Sequence, residues 1–192
     1  MKALRMDTPE GVAPPLFEIS WDEDRQFRMD PAVVTALLRE QVPVLDFVKW
    51  TVTTIEPGFT ESVLPLNPQS TNQHFTHQAA LAVLAGDYTG GTALASLMPG
   101  WPVIGVHPVS SPQSVSMWLL KVDIKYLRPS VSDLKVTARI SDDMRERVQK
   151  RFLAGQAVIA ALGIEFRNGD TMIAESNLTY FARQSVKLRS EG

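Results

Sequence analysis

The chain contains no cysteine among its 192 residues. A disulfide framework, a thiol nucleophile and a cysteine-based zinc site are therefore all excluded. This composition is compatible with a reducing compartment, and we expect a cytoplasmic protein. At this length, with 44% hydrophobic residues, one folded domain is a better fit than two.

The chain also lacks a strong excess of charge. Its 19 basic and 21 acidic residues leave a formal net charge of -2, so no field draws it to nucleic acid or to an anionic membrane, and we expect neither partner. A membrane span is not indicated either, because the most apolar stretch, 79–98, carries Asp87 at its middle. A charge there is costly in lipid, and a helix buried in a soluble protein explains the stretch better.

Several catalytic signatures are missing. There is no Gly-x-Ser-x-Gly nucleophile elbow and no glycine-rich phosphate loop. His74 and His77 are three residues apart, but they lack a clear third ligand, so we expect no metal site. Histidines in such a place more often cap a helix, bond to a loop or line a pocket.

What the chain does contain is a series of periodic segments. Asp30 and Pro31 open a helix, because Asp is a good N-cap and Pro is tolerated in the first turn, and Pro43 ends it. A second, long helix begins near Phe75, includes the apolar stretch 79–98 and is stopped by Pro99-Gly100. The remaining predicted elements are strands over 47–56, 60–66, 115–127, 134–140, 156–166 and 171–183, a short edge strand over 103–106, and a short helix over 141–154.

The distribution of apolar residues predicts how these elements pack. Segment 79–85 is apolar on every side and must be surrounded by protein. Asn168-Gly169 predicts a hairpin turn. The alternating residues of 115–127 are predicted to share one face: Trp118, Leu120, Val122, Ile124 and Tyr126. We therefore expect an α+β domain over 30–183, with an antiparallel sheet wrapped around one long central helix, a leader over 1–29 and a polar tail over 184–192.

Three sets of residues carry a resemblance to a known family. The first is Asn72 and His77 followed by an apolar helix start, Asp87 and Gly90-Gly91; the second is the strand end Tyr126-Leu127-Arg128-Pro129; the third is the closing hairpin 163–183. Over about residues 44–183, the chain resembles the hotdog-fold acyl-CoA thioesterases, in particular the small phenylacetyl-CoA-type branch. The resemblance implies thioester hydrolysis by a homodimer, with a dimer of dimers as the larger assembly. It implies no cofactor besides the coenzyme A of the substrate.

The chain departs from the family pattern at the start of the helix. Gln78 and Ala79 replace the two glycines that follow the family's histidine. The spacing from His77 to Asp87 is one residue too long, so a strict alignment puts Gly86 on the acidic position. Asp87 takes that position if Gln78 replaces the histidine, and both alignments stay open.

Thioester hydrolysis needs oxyanion stabilisation and an activated water or a carboxylate nucleophile. The unpaired N–H groups of a helix start, near Gln78 and Ala79, are candidate oxyanion donors, and His77 belongs to the same candidate site. Asn72 either orients water or holds the helix start. Asp87 is either a base or nucleophile, or a carboxylate satisfied by a neighbouring group.

A distance limits how these groups act together. Gln78 and Asp87 lie roughly 13–14 Å apart along one helix, so one thioester contacts both only if they come from two chains of a symmetric dimer. By resemblance, Arg128 binds a phosphate of coenzyme A. The predicted helix 141–154 carries a run of basic residues that is more simply explained as a solvated face. The run consists of Arg145, Arg147, Lys150 and Arg151.

Two other functions remain open. A non-catalytic hotdog module that binds acyl-CoA is favoured by the missing glycines, and a hotdog dehydratase is the third hypothesis. An apolar slot for the acyl chain is predicted between subunits. Its candidate lining residues, each of which is as well explained as core, are Leu81, Leu84, Tyr88 and residues near Trp101.

Overall fold

The structure is a computed structural model that describes residues 29–98, 115–185 and 187. Most of the predicted leader, the region around Trp101 with its edge strand 103–106, and most of the polar tail lie outside these residues. The division of the chain into leader, domain and tail therefore stays a prediction. Within the described part of the chain, no helix is both long enough and apolar enough to span a membrane.

The described residues form a mixed α/β structure with one six-stranded antiparallel sheet, in the order β1-β2-β4-β5-β6-β3. The predicted element order is confirmed. The elements are α1 (Pro31–Gln41), α2 (Pro43–Phe47), β1 (Thr51–Glu56), β2 (Phe59–Leu64), α3 (Ala79–Ala95), β3 (Val115–Tyr126), β4 (Leu134–Arg139), α4 (Asp142–Leu153), β5 (Val158–Asn168) and β6 (Thr171–Gln184).

The first two helices show where local signals worked and where they did not. The Asp30 carboxylate accepts hydrogen bonds from the N–H groups of Ala32 and Val33, at 2.8 and 3.2 Å, which is the predicted N-cap. The strand predicted to begin at residue 47 begins instead at Thr51. Pro43 not only ends α1 but also starts the unpredicted short helix α2, in agreement with the preference of Pro for a first helical turn.

Helix α3 is 17 residues long and packs against all six strands. Its approach to the sheet is close because two glycines face the strands. A Cβ at Gly86 would lie 2.8 Å from Cζ of Phe166, and a Cβ at Gly90 would lie 2.5 Å from the hydroxyl oxygen of Tyr180. Side chains at these two positions would therefore push the helix off the sheet.

Burial along α3 is uneven, which corrects the prediction that its first turns are surrounded on all sides. From Thr89 to Ala95 every residue is buried. At the other end, Ala79 and Ala80 are exposed, and Leu84 is only partly buried. The beginning of this apolar helix therefore has one face that the protomer itself leaves open.

The predicted common face of β3 is wrong. The pairing of β3 with β6 shifts register between Leu119 and Lys121, and such a bulge reverses the direction of every side chain beyond it. Trp118 consequently pairs with Phe181 and stacks on it with ring centroids 5.6 Å apart, on the face opposite to the buried Leu178, which pairs with Val122.

Strand β3 is also an edge of the sheet. Among the described residues it pairs with β6 alone, so in this part of the chain its other side presents unpaired main-chain groups over twelve residues. Apolar side chains along this edge are open to solvent, since Leu120 is 56% exposed and Val122 is 38% exposed. A long apolar edge strand favours pairing with a second chain.

We expect Gly86→Ala to destabilise the protein by about 1–2 kcal/mol, despite the better helix propensity of alanine, because the new methyl group collides with the buried ring of Phe166. Urea unfolding followed by circular dichroism measures this change. Gly163→Ala is the matched control. No heavy atom beyond the chain neighbours lies within 4 Å of a Cβ at Gly163, so its effect stays within about 0.5 kcal/mol. Equal effects of the two substitutions would contradict the close packing of α3.

Candidate active site

A short loop before α3 is organised by Asn72. Its carboxamide oxygen accepts the N–H of His74 at 2.8 Å, and its amide nitrogen donates to the hydroxyl of Thr76 at 2.9 Å and to the carbonyl of His77 at 3.3 Å. Phe75, 82% exposed at the tip of this loop, has a φ of 60°, which is why the predicted helix does not begin there. Of the two roles expected for Asn72, holding the helix start is the one that these contacts display.

His77 is buried and fixed in place. Its Nδ1 lies 2.7 Å from Oγ of Ser130, and its N–H donates to the carbonyl of Ser130 at 3.0 Å. Burial lowers the pKa of His77, opposed by the carbonyls of Pro65 and Leu64 and by the charge of Asp133. The imidazole is therefore neutral at pH 7, and it anchors the loop that precedes α3.

The free N–H groups at the start of α3 are those of Ala79 and Ala80. The N–H of Gln78 already donates to the carbonyl of Ser70 at 2.9 Å, so Gln78 is not the donor that its position in the sequence suggests. Within the described part of the chain, neither Ala79 nor Ala80 has a hydrogen-bond acceptor for its N–H. Two unpaired donors and the positive end of the helix dipole thus meet at one exposed point.

Ala79 lines a cleft of about 350 Å³, and Ala80 is the next residue of the helix. Tyr126 closes one side and donates its hydroxyl to the carbonyl of Ala79 at 2.8 Å. Arg128 is exposed on the rim, and in the residues that the structure describes its guanidinium has no partner. We call this the helix-start cleft; its lining residues are Thr76, His77, Ala79, Ala82, Tyr126, Leu127, Arg128, Pro129, Ser130, Leu134, Phe166, Ile173 and Ala174.

The loop after Arg128 is held by Asn168. Its side-chain amide donates to the carbonyls of Ser132 and Asp133 at 2.9 and 3.0 Å, and its oxygen accepts the N–H of Val131 at 3.0 Å. The predicted Asn-Gly turn is displaced by one residue, because Asn168 pairs with Thr171 as the last residue of β5. Asn168 therefore stabilises the loop that follows Arg128 and is not one of the turn residues.

Asp87 lies in a second cleft, of about 260 Å³. We call it the Asp87 cleft; its lining residues are Asp87, Tyr88, Gly91, Met117, Trp118, Leu119 and Tyr180. Burial raises the pKa of Asp87 from 3.8 to about 6, and a hydrogen bond from Tyr180 acts in the opposite direction. Among the described residues no cation pairs with this carboxylate. A partly buried carboxylate without an ion pair is typical of functional sites.

The packing of α3 gives Gly86 and Asp87 different surroundings. Gly86 faces Phe166 and Leu178 of the sheet, at 2.8 and 3.6 Å from its Cβ position, so no carboxylate fits there. Asp87 is turned into a cleft. The two clefts have no lining residue in common, and one protomer therefore does not bring Asp87 to the free N–H groups of α3.

The other predicted site residues are placed less centrally. Arg145 of α4 pairs with Asp142 at 3.0 Å and lies against the Gly58 turn. The N–H of Gly58 in turn donates to Ser96 at the carboxyl end of α3. The basic run thus lies at the end of the protomer opposite to Arg128, which agrees with a solvated face. Of the residues predicted for the acyl slot, Tyr88 lines the Asp87 cleft.

Tyr180 is the site residue that the sequence analysis missed. It lies in the predicted strand 171–183 with no role assigned to it, yet its hydroxyl donates to the carbonyl of Asp87 at 2.9 Å. The available signal was weak: a tyrosine on the inward face of a strand, and a glycine pair in the helix that has to face it.

Comparison with known proteins finds similar structures but no similar sequence. No protein-family model matches the chain, and no curated protein matches it. Solved structures do match. A candidate thioesterase of Shewanella oneidensis is 17% identical, with a TM-score of 0.62 over 80% of this chain and 96% of its own. A thioesterase of Haemophilus influenzae is 11% identical, with a TM-score of 0.59 over 82% and 92%.

A third match is a Staphylococcus aureus thioesterase, 10% identical with a TM-score of 0.56 over 74% of this chain and 99% of its own. Its structure was solved as a variant with a glutamine replaced by alanine, and again with a glutamate fifteen positions later replaced by alanine. The chain shares the fold of these proteins. At these identities, the likeness extends to the fold and not to the activity.

The raised pKa of Asp87 predicts how stability depends on pH. Because the pKa in the folded state lies above that of the unfolded chain, the folded state favours the protonated carboxyl. The contribution of Asp87 to the free energy of unfolding is then highest below about pH 4. It falls as the pH rises from there through about 6. We expect Asp87→Asn to stabilise the protein by roughly 1–2 kcal/mol at pH 8 and by almost nothing at pH 4. Urea unfolding at the two pH values tests this, and a pH-independent difference would contradict it.

Proposed function

We propose that the chain is a hotdog-fold thioesterase that hydrolyses an acyl-CoA thioester to the free acid and coenzyme A, and that it acts as a homodimer. One observation carries the proposal. Among the described residues, the free N–H of Ala79 and an arginine without a partner lie at one cleft, and a carboxylate without a cationic partner lies in another, so the chain holds both halves of a thioester-hydrolysing site without joining them.

Edge strand β3 suggests how the halves meet. Residues Met117 and Leu119, near its beginning, line the Asp87 cleft, whereas Tyr126, at its end, lines the helix-start cleft. If β3 pairs antiparallel with the same strand of a second copy, the beginning of one strand lies beside the end of the other. The Asp87 cleft of one protomer then adjoins the helix-start cleft of its partner. The same pairing covers the exposed Leu120 and the open face of α3.

In this dimer the chemistry follows from the groups present. The thioester carbonyl oxygen accepts hydrogen bonds from the N–H groups of Ala79 and Ala80, which stabilise the charge that develops on it. The carboxylate of Asp87 from the other chain takes a proton from water as the water oxygen bonds to the carbonyl carbon. The carbon–sulfur bond then breaks, and the thiolate of coenzyme A leaves and takes up a proton. Direct attack by Asp87 on the carbonyl carbon, followed by hydrolysis of the anhydride, uses the same geometry.

Arg128 supports the choice of coenzyme A as the leaving group. It lies on the rim of the helix-start cleft with no carboxylate partner among the described residues. A guanidinium group without another partner is suited to form bidentate hydrogen bonds with a phosphate. We assign it to a phosphate of coenzyme A, outside the reacting centre.

The comparisons support the choice of Asp87 and Asn72. In the Staphylococcus aureus thioesterase, the two replaced residues are an amide and an acid fifteen positions apart. Asn72 and Asp87 are likewise an amide and an acid fifteen positions apart. This spacing favours the alignment in which Gln78, and not His77, stands where the family has its histidine. It also gives Asn72 the role of supporting the helix start.

We expect Asp87→Asn to lower the rate of acyl-CoA hydrolysis by about 100-fold or more, because the base or nucleophile is lost. The assay follows the release of free thiol with a colorimetric reagent over a panel of aliphatic and aromatic acyl-CoAs. Asp143→Asn is the matched control, since Asp143 is an exposed carboxylate of α4 outside both clefts, and its activity should equal wild type. Tight acyl-CoA binding without thiol release by the wild type would favour a non-catalytic binding module instead.

A second experiment tests whether one site uses two chains. Ala79→Pro removes one free N–H while keeping the helix, because Pro suits the first helical position and Gln78 already has the extended backbone that precedes a proline, with ψ 128°. We expect homodimers of Ala79→Pro and of Asp87→Asn each to be nearly inactive. A heterodimer of the two, co-expressed with different affinity tags, has one intact site of two and should recover about half of the wild-type activity. No recovery would show that both groups act within one chain.

A further inference from the structure

The hydroxyl of Tyr180 reaches the helical turn that carries Asp87. It donates to the carbonyl of Asp87 at 2.9 Å, and the tyrosine side chain is buried almost completely. Burial and the nearby Asp87 raise the pKa of this phenol, so it keeps its proton and remains a donor. A buried donor that reaches across from the sheet is a fixed reference point for the turn of α3.

The space that the Tyr180 hydroxyl occupies exists because residue 90 is a glycine. A Cβ at Gly90 would lie 2.5 Å from the Tyr180 oxygen and 3.1 Å from its Cζ. Since real Cβ atoms do not approach so closely, any other residue at this position would displace the hydroxyl. Gly90 and Tyr180 are therefore complementary in shape, one on the helix and one on β6.

Among the described residues, few other charged or titratable groups face the Asp87 carboxyl. Tyr88 is its neighbour on α3, and its pKa is raised by burial and by the charge of Asp87. In the part of the cleft that the structure describes, β6 contributes Tyr180, and β3 contributes Met117, Trp118 and Leu119, which do not titrate. Tyr180 is thus the polar group best placed to influence this carboxyl.

We propose that Tyr180 is the positioning residue for Asp87: its hydroxyl, seated against Gly90 and bonded to the main-chain carbonyl of Asp87, fixes the turn of α3 so that the carboxylate faces the cleft. The inference rests on the proposed function for its catalytic consequence. Its physical content, the coupling between a phenol and a carboxyl group, is independent of that function.

The central experiment compares Tyr180→Phe with wild type over pH 4–9. Removing the hydroxyl leaves burial unopposed, so the pKa of Asp87 rises further above about 6. We expect the acid limb of the kcat/KM profile to move up by roughly 0.5–1 pH unit, and the activity at pH 9 to fall by about tenfold, because the carboxylate is no longer held toward the cleft. An unchanged limb would overturn the inference.

Ser62→Ala is the control for loss of a buried hydrogen bond to α3. Its hydroxyl contacts the Trp50 indole N–H at 3.0 Å and the Thr89 hydroxyl at 2.6 Å, and it lines neither cleft. We expect this variant to lose stability with no movement of the acid limb. If the limb moved equally in Ser62→Ala and Tyr180→Phe, a general loosening of the helix would explain the effect and the inference would fail.

Two further measurements keep the inference testable apart from catalysis. A ¹³C NMR titration of the Asp87 carboxyl, identified by its loss in Asp87→Asn, should give a higher midpoint in Tyr180→Phe than in wild type whether or not the protein hydrolyses acyl-CoA. In a double-mutant cycle, Gly90→Ala should destabilise the wild type more than it destabilises Tyr180→Phe, because the closest colliding atom is then gone. Equal midpoints or additive effects would overturn the inference, and absence of thiol release would overturn only the proposed function.

Discussion

The close contact between an apolar helix and a sheet is the constraint on which the rest of this molecule depends. α3 carries one charged residue, Asp87, and it approaches the strands through Gly86 and Gly90. Because these two glycines have no side chains, the large side chains opposite, Phe166 and Tyr180, fill the space between helix and sheet. The rotation of the helix about its axis is thereby set, and with it the direction in which Asp87 points.

That rotation is reinforced by buried polar contacts. The Ser62 hydroxyl links Trp50 of the region before β1 to Thr89 of α3, and buried polar groups are costly unless their hydrogen bonds are made. At the other end, Asn72, His77 and Ser130 tie the start of α3 to the loop after β3. The helix is therefore fixed at its middle and at its start, which are the two places where the proposed chemistry occurs.

The candidate site contains polar groups that lack partners in the described protomer. Asp87 is partly buried without a cationic partner among the described residues, and the N–H groups of Ala79 and Ala80 are left unpaired. Both features cost stability in a lone protomer. Groups whose bonding is unsatisfied in this way are available to a substrate, and the exposed edge of β3 offers the route by which a second protomer completes their surroundings.

Part of the site was readable from the chain and part was not. Asp87 stands out as a lone acid in an apolar stretch, and the Tyr126-Leu127-Arg128-Pro129 strand end marks the rim of a cleft without knowledge of the fold. The free donors were predicted near Gln78 and Ala79, and Gln78 is engaged because its N–H donates to Ser70 of a loop whose path no periodicity reveals. Tyr180 was missed because its partner lies 93 residues away, and only tertiary packing joins them.

The sequence by itself determined the order and kind of the elements, since helical and alternating periods record how each segment buries its apolar residues. It also determined the Asp30 cap and the alternation of β4, which are local. Tertiary structure alone decided which way Trp118 faces, because the bulge after Leu119 arises from pairing with β6. It also decided that Gly86 faces the sheet while Asp87 is turned into a cleft, since that depends on which helical face meets Phe166. Such choices belong to contacts between distant segments, and no local pattern encodes them.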